Sequence, residues 1–145
     1  METYDPNIQR RVWERVSGGS ETDDLTPLMA QELTDAATLT RLAKVVGGRG
    51  GDLLRLAREC RQRAGYLRGI RAMTQGSCPD PAVPTPPVNT PGAALRRCYV
   101  NFLCRLRFYE LRSPDPEYGP VYQQMTDSLR SQCATLLDLI GKVER

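Results

Sequence analysis

Residues 75–92 read QGSCPDPAVPTPPVNTPG and separate the chain into two helical halves. Six prolines fall in this stretch. Proline fixes φ and has no backbone N–H, so the stretch should be extended and should lack regular backbone hydrogen bonds. A stiff connection about as long as a helix lets the next helix start at the far end of a bundle. The stretch therefore predicts one long crossover between two helix pairs, a known variant of the four-helix bundle.

Helical patterns flank this crossover on both sides. Thr26-Pro27 predicts a capped helix start, and Gly47-Gly48 predicts the end of that helix. A second helix is predicted at 52–74, and the short loop before it requires an antiparallel pair. Thr90-Pro91 starts a third helix that ends at 113, and a fourth begins within 117–120 and reaches about 140. Since no strand pattern competes, we predict an all-α, antiparallel four-helix bundle.

A short extra helix is expected before the bundle. Asp5-Pro6 is a start signal, and Ile8, Val12, Trp13 and Val16 recur at helical spacing, which favours an amphipathic lid. The chain thus divides into residues 1–24, a short helix with its loop, and residues 25–145, the bundle with its crossover at 75–92. Its length fits a single domain overall.

The composition is that of a soluble globular protein, with 40% hydrophobic and 26% charged residues. No apolar run approaches the roughly 20 residues that span a bilayer. Residues 1–15 are charged and lack the apolar segment of a secretory signal. We therefore expect a cytoplasmic protein without membrane contact.

Histidine is absent and cysteine is scattered. The chain has no histidine, the commonest side-chain base and transition-metal ligand. Its five cysteines form no CxxC pair, so we expect free thiols that act as small buried hydrophobic groups. Seven arginines lie within 49–71 and five within 96–112; a basic face for nucleic acid is conceivable, but we favour an arginine-rich solvated helix surface. Nucleic-acid binding is therefore not expected.

Three stretches resemble ferritin-like proteins of the rubrerythrin kind. They are residues 32–38 (ELTDAAT), residues 67–70 (LRGI) and residues 115–122 (DPEYGPVY) with the helix that follows. The resemblance covers roughly residues 25–143. It implies a ferritin-like bundle with two metal ions inside, held by one Glu from each of two helices and a Glu-x-x-His pair from each of the others. It also implies oxygen or peroxide chemistry, or iron storage.

Most of that ligand set does not carry over to this sequence. The first helix matches at Glu32. On the second helix, counting from Leu67 puts Cys60 and Arg63 at the paired ligand positions, and a register one residue earlier, which stays open, gives Glu59 and Gln62. The positions on the third and fourth helices fall on Phe102, Leu129 and Gln132.

One or two surviving ligands cannot hold two divalent ions. We therefore assign no catalytic, cofactor-binding or metal-binding residue, expect no cofactor, and favour a non-catalytic scaffold or binding protein. The alternatives are a residual oxidoreductase that binds iron or another divalent metal, and a thiol redox protein that uses Cys60.

A buried Glu32 needs a partner. We predict a structural pair of Glu32 with Arg63, to which Gln132 adds a hydrogen bond; otherwise Arg63 reaches solvent and Glu32 lies at a wet edge.

The aromatic residues point to an interaction. Trp13, Tyr66, Phe108 and Tyr122 exceed what the interior of four helices needs. A homo-oligomer or a protein partner is therefore expected.

Overall fold

The computed structural model describes residues 24–76, 78–84 and 86–143. Four α-helices make up most of this part of the chain: α1 Thr26–Val45, α2 Gly50–Gln75, α3 Pro91–Arg112 and α4 Gly119–Val143. No strand occurs among the described residues. The predicted all-helical architecture with four long helices is confirmed. The short helix predicted near residues 6–16 lies outside the described residues.

The start of α1 differs in detail from the prediction. The sequence predicts Thr26 as the capping residue, but Thr26 is the first helical residue and Leu25 occupies the capping position. Asp24 Oδ1 accepts the backbone N–H of Thr26 at 3.0 Å and supplies the polar cap instead. α3 starts at Pro91, directly after Thr90, as the sequence predicts.

A tight turn joins α1 to α2. Gly47 has a φ of +65°, in the left-handed region that glycine adopts without steric cost, and it begins a 3-10 helix, Gly47–Arg49. A Cβ on Gly50 would lie 2.8 Å from the backbone oxygen of Ala43. Glycine therefore allows the two helices to approach closely here, and α2 begins two residues before the predicted start at Asp52.

The helices pack mainly as α1 with α2 and α3 with α4. Fewer contacts join α1 to α3 and α2 to α4. All four helices contribute to one apolar core, in which Leu39, Leu67, Phe102 and Leu129 are fully buried. None of the helices in the described part combines the length and the apolar character needed to cross a membrane.

The proline-rich crossover is held against α2. Its described residues between 76 and 90 form neither helix nor strand, as predicted. The buried side chain of Arg71 donates from Nη2 to the carbonyl oxygens of Cys78 and Pro79, at 3.0 and 3.3 Å. Arg68 forms a two-point contact with Asp80 at 2.9 and 3.0 Å. These bonds fix the beginning of the crossover at the end of α2.

Candidate functional site

Two acidic side chains of α1 point into the bundle. Glu32 and Asp35 are three residues apart, so they lie on one face of the helix, and their exposed fractions are 0% and 1%. An isolated charge in such an interior is strongly disfavoured. Each carboxylate therefore requires a compensating partner from a neighbouring helix.

Arg63 of α2 is the first partner, and it is the residue that the sequence analysis proposed. Its Nε donates to Glu32 Oε2 at 2.8 Å, and its exposed fraction is 1%. Its Nη1 donates to Ser128 Oγ of α4 at 2.9 Å, and its Nη2 lies 3.3 Å from Cys60 Sγ. The side chain is enclosed, which excludes the alternative in which Arg63 reaches solvent.

Arg105 of α3 is a second partner that the sequence analysis did not include. Its Nε lies 3.2 Å from Glu32 Oε2, and its Nη1 lies 2.8 Å from Asp35 Oδ2. Neither contact has the geometry of a hydrogen bond, so both are ion pairs. The hydrogen bond from Arg105 Nη1 goes to Gln31 Oε1 at 3.1 Å. We call Glu32, Asp35, Arg63 and Arg105 the salt-bridge cluster. It holds two negative and two positive groups and is therefore neutral.

Phe102 packs against both guanidinium groups. The guanidinium carbons of Arg63 and Arg105 are 5.7 and 5.2 Å from its ring centroid, within the range of cation–π attraction. The ring thus adds to the stabilisation of both cations. The position at which the resemblance implies a metal-binding carboxylate carries this ring.

Neighbouring polar groups complete the salt-bridge cluster. Tyr109 Oη donates to Glu32 Oε2 at 2.8 Å, and Asn101 Nδ2 donates to Asp35 Oδ1 at 3.0 Å. Glu32 Oε2 is therefore surrounded by donors, whereas Oε1 has no hydrogen-bond partner within the described part of the chain. All the partners of Glu32 converge on one oxygen.

The two carboxyl groups differ in pKa. Burial disfavours the charged form of Glu32, but the guanidinium groups of Arg105 and Arg63 outweigh this effect, and the pKa lies below the usual value. For Asp35, burial dominates over the attraction of Arg105 and the hydrogen bond from Asn101, and the pKa is raised. The same buried surroundings therefore shift the two carboxyl pKa values in opposite directions, because Glu32 contacts two guanidinium groups and Asp35 only one.

The buried thiols near the cluster are poor nucleophiles. Burial raises the pKa of Cys60 and, to a similar degree, that of Cys98, because the thiolate loses its hydration. Both thiols are therefore neutral at physiological pH. The expectation that the cysteines are buried is wrong for Cys78 and Cys104, which are exposed.

The remaining predicted positions are divided between the interior and the surface. Cys60, Leu129 and Gln132 are buried, so the register through Cys60 and Arg63 faces the interior. In the other register, Gln62 is exposed and donates to Tyr66 Oη at 3.2 Å.

Gln132 does not join the Glu32–Arg63 pair as predicted, because its amide donates to Glu59 instead. Among the four aromatic residues expected to promote self-association, Tyr122 belongs to the core, with 2% exposure.

Arg105 was not predicted because the apolar pattern Leu95, Tyr99, Phe102, Leu106 and Tyr109 favours a helix face about 60° away from the buried one. Tyr99 and Leu106 are only partly buried, whereas Cys98 and Arg105 are buried. A search for charged residues at spacing 3 or 4 from Phe102 would have found Arg105. On α1, the same search around Glu32 would have found Asp35.

The donor set does not fit a pair of metal ions. Within residues 24–76, 78–84 and 86–143, no group of three cysteine, aspartate or glutamate side chains is arranged to hold a metal. Glu32 and Asp35 are already neutralised by guanidinium groups, which occupy the positions that cations would need. No protein-family model matches the chain, and no curated protein or solved structure matches it.

Proposed function

We propose that this protein is a non-catalytic helical scaffold or binding protein, built as a ferritin-like bundle in which the salt-bridge cluster replaces a di-metal centre. Two sets of contacts support the antiparallel, ferritin-like arrangement. Arg71 at the end of α2 donates to Thr26 at the start of α1, while Gly50 at the start of α2 meets Ala43 near the end of α1. The long crossover follows this pair, as in ferritin-like bundles.

The position of the two guanidinium groups is the observation that carries the proposal. Arg63 and Arg105 reach from α2 and α3 to the carboxylates of α1, where a ferritin-like enzyme would hold metal. Two guanidinium groups bring two fixed positive charges and cannot lose them near neutral pH. A divalent ion would have to displace them and leave them buried without partners, at a cost of several kcal/mol.

Metal analysis of the untagged protein tests the proposal. Protein from medium rich in iron, manganese and zinc should contain only substoichiometric amounts of each metal, and Glu32→Ala should leave these amounts unchanged. Glu110→Ala, which removes an exposed carboxylate, is the matched control. A stoichiometric metal that is lost in Glu32→Ala but kept in Glu110→Ala would overturn the proposal in favour of a residual metalloprotein.

A further inference from the structure

The crossover between α2 and α3 is unusually restricted in its backbone. Residues 78–87 read CPDPAVPTPP, and nine of these ten positions are either a proline or the residue before one. Proline fixes φ, and the residue before it is restricted to extended conformations, so the composition favours a polyproline II helix. In the described part of the chain, residues 78–84 and 86–88 form neither helix nor strand and take no part in backbone–backbone hydrogen bonds. Both observations agree with a polyproline II segment, which has no internal hydrogen bonds.

Three of the prolines fall on one face of this segment. A polyproline II helix has three residues per turn, so Pro81, Pro84 and Pro87 are aligned one above the other. Pro84 and Pro87 are exposed, and Pro81 is partly buried. Val83 and Pro86, which share a different face, are both partly buried. The segment thus rests on the bundle through one face and presents another to solvent; we call Pro81, Pro84 and Pro87 the proline ridge.

The bundle holds the segment at both ends. The bonds from Arg68 and Arg71 fix its beginning, and Arg41 Nη1 of α1 donates to the carbonyl oxygen of Pro86 at 3.4 Å. Val88, directly after the ridge, is buried in the core with 8% exposure. A binding segment that is already held in one conformation loses little conformational entropy when it binds. The proline ridge is therefore a preorganised surface and not a flexible linker.

The chemistry of the proline ridge selects the kind of partner. Pyrrolidine rings are apolar and carry no donor, whereas the carbonyl groups of a polyproline II helix remain free to accept hydrogen bonds. A groove lined by tyrosine and tryptophan matches both properties. Its aromatic faces pack against the proline rings, and its O–H and N–H groups donate to the carbonyl oxygens.

A positive charge lies near one end of the ridge. Pro87 lines an open cleft of about 190 Å³ at the beginning of α3, together with Asn89, Thr90 and Arg97. The side chain of Arg97 is exposed, and its guanidinium group is a fixed positive charge that pairs well with a carboxylate. A charge at one end only gives the ridge a direction, so a partner with an acidic side chain at the matching end of its groove is favoured.

We propose that the proline ridge is a docking surface for a protein domain whose groove is lined by tyrosine and tryptophan and ends in an acidic side chain that meets Arg97. The inference rests on the proposed binding function, because it names the kind of partner. The two can fail separately. A stoichiometric metal would reject the proposed function whatever the ridge binds, and a ridge that binds nothing in a metal-free protein would reject only the docking surface.

Purified SH3 and WW domains, two classes that bind polyproline II segments through aromatic grooves, are suitable probes. In biolayer interferometry, the full-length protein should bind at least one domain of such a panel. Pro84→Ala combined with Pro87→Ala should weaken this binding about tenfold or more, because it removes the two exposed rings of the ridge. Pro79→Ala is the matched control, since Pro79 is exposed on another face of the segment, and it should change the affinity less than about twofold. Far-UV circular dichroism checks that the helices persist.

Arg97→Glu tests the acidic contact. It should weaken binding roughly threefold or more at low salt, whereas Arg58→Glu, at an exposed position of α2, should have little effect. Equal effects of these two substitutions would reject the contact with Arg97.

A synthetic peptide of residues 78–91 repeats the proline comparison without any requirement for folding. It should compete with the full-length protein for the same domain, and the peptide with both alanine substitutions should not. Failure of every domain in the panel to bind the full-length protein would overturn the proposal. So would a loss of affinity in Pro79→Ala as large as that in the ridge variant, since binding would then follow proline content and not the ridge.

Discussion

Arg105→Met and Asp35→Asn, made singly and together, measure how strongly the salt-bridge cluster is coupled. Arg105 is 3.2 Å from Glu32 Oε2 and 2.8 Å from Asp35 Oδ2, and it donates to Gln31. Methionine retains much of the length and packing of the side chain but removes the charge. The single substitution therefore leaves two buried carboxylates facing the one remaining cation, Arg63.

The expected magnitudes follow from these contacts. Loss of one partner from a buried ion pair costs about 3–5 kcal/mol, and we expect about 4 kcal/mol for Arg105→Met. Asp35→Asn retains the shape and leaves Arg105 paired with Glu32, and burial already disfavours the Asp35 charge, so its cost should be about 1.5 kcal/mol, below the range for breaking a buried ion pair. The double variant holds a neutral Glu32–Arg63 pair and should lose about 3 kcal/mol, which gives a coupling of about 2.5 kcal/mol.

Urea denaturation at pH 7, followed by circular dichroism, supplies the four free energies of unfolding. Glu110 and Arg130 form the control pair, since they are 2.6 Å apart but 31% and 54% exposed. Alanine substitutions of this pair should show a coupling below about 1 kcal/mol. A buried coupling no larger than the exposed one would refute the view that the four buried charges act as a unit.

Three further predictions follow from the same geometry. Tyr109→Phe removes the donor to Glu32 Oε2 and should cost about 1.5–3 kcal/mol in urea denaturation; a cost below 0.5 kcal/mol, roughly the scale of a neutral substitution, would contradict the hydrogen bond. The lowered pKa of Glu32 gives stability that is present above about pH 4.5 and is lost as the pH falls through the folded-state pKa. The raised pKa of Asp35 acts in the opposite sense, because the folded state binds this proton more tightly than the unfolded state does and so gains stability as the pH falls. Asp35→Asn removes this gain and should make the loss of stability in acid steeper. An unchanged dependence of the free energy of unfolding on pH would contradict the raised pKa. Finally, native Cys60 should resist alkylation under conditions in which Cys78 reacts, as peptide mapping can determine, and equal rates would contradict the enclosed site.

The helix boundaries were predictable because they depend on local chemistry. Gly47 provides a left-handed turn after α1, and Pro91 fixes the first turn of α3, so each signal acts through its own backbone. The crossover was predictable for the same reason, since prolines exclude regular hydrogen bonding wherever they lie. The cap of α1 was displaced by one residue because Asp24 and Thr26 are both suitable capping side chains, and only the packing of Leu25 in the core selects between them.

The site was predictable only in part, because its members come from different helices. Glu32 lies on an apolar stripe, so its burial and its need for a cation follow from the sequence alone. The choice of Arg105 depends on the rotation of α3 about its axis. An apolar pattern search counts arginine as a surface residue and so rotates the helix to bury Tyr99 and Leu106 instead. Tertiary pairing across α1 and α3 reverses that local preference.

The salt-bridge cluster also restricts how the helices can be arranged relative to one another. Arg63 of α2 bonds Glu32 of α1 and Ser128 of α4, and Arg105 reaches α1 from α3, so the cluster joins all four helices. A shift of α3 by one residue would rotate Arg105 by about 100° away from both carboxylates and leave them without that cation. Leucine contacts tolerate such a shift far better, since they have no fixed direction. Because buried ion pairs are not reliably more stabilising than apolar packing, we infer that these four charges act mainly by fixing a single register of the helices.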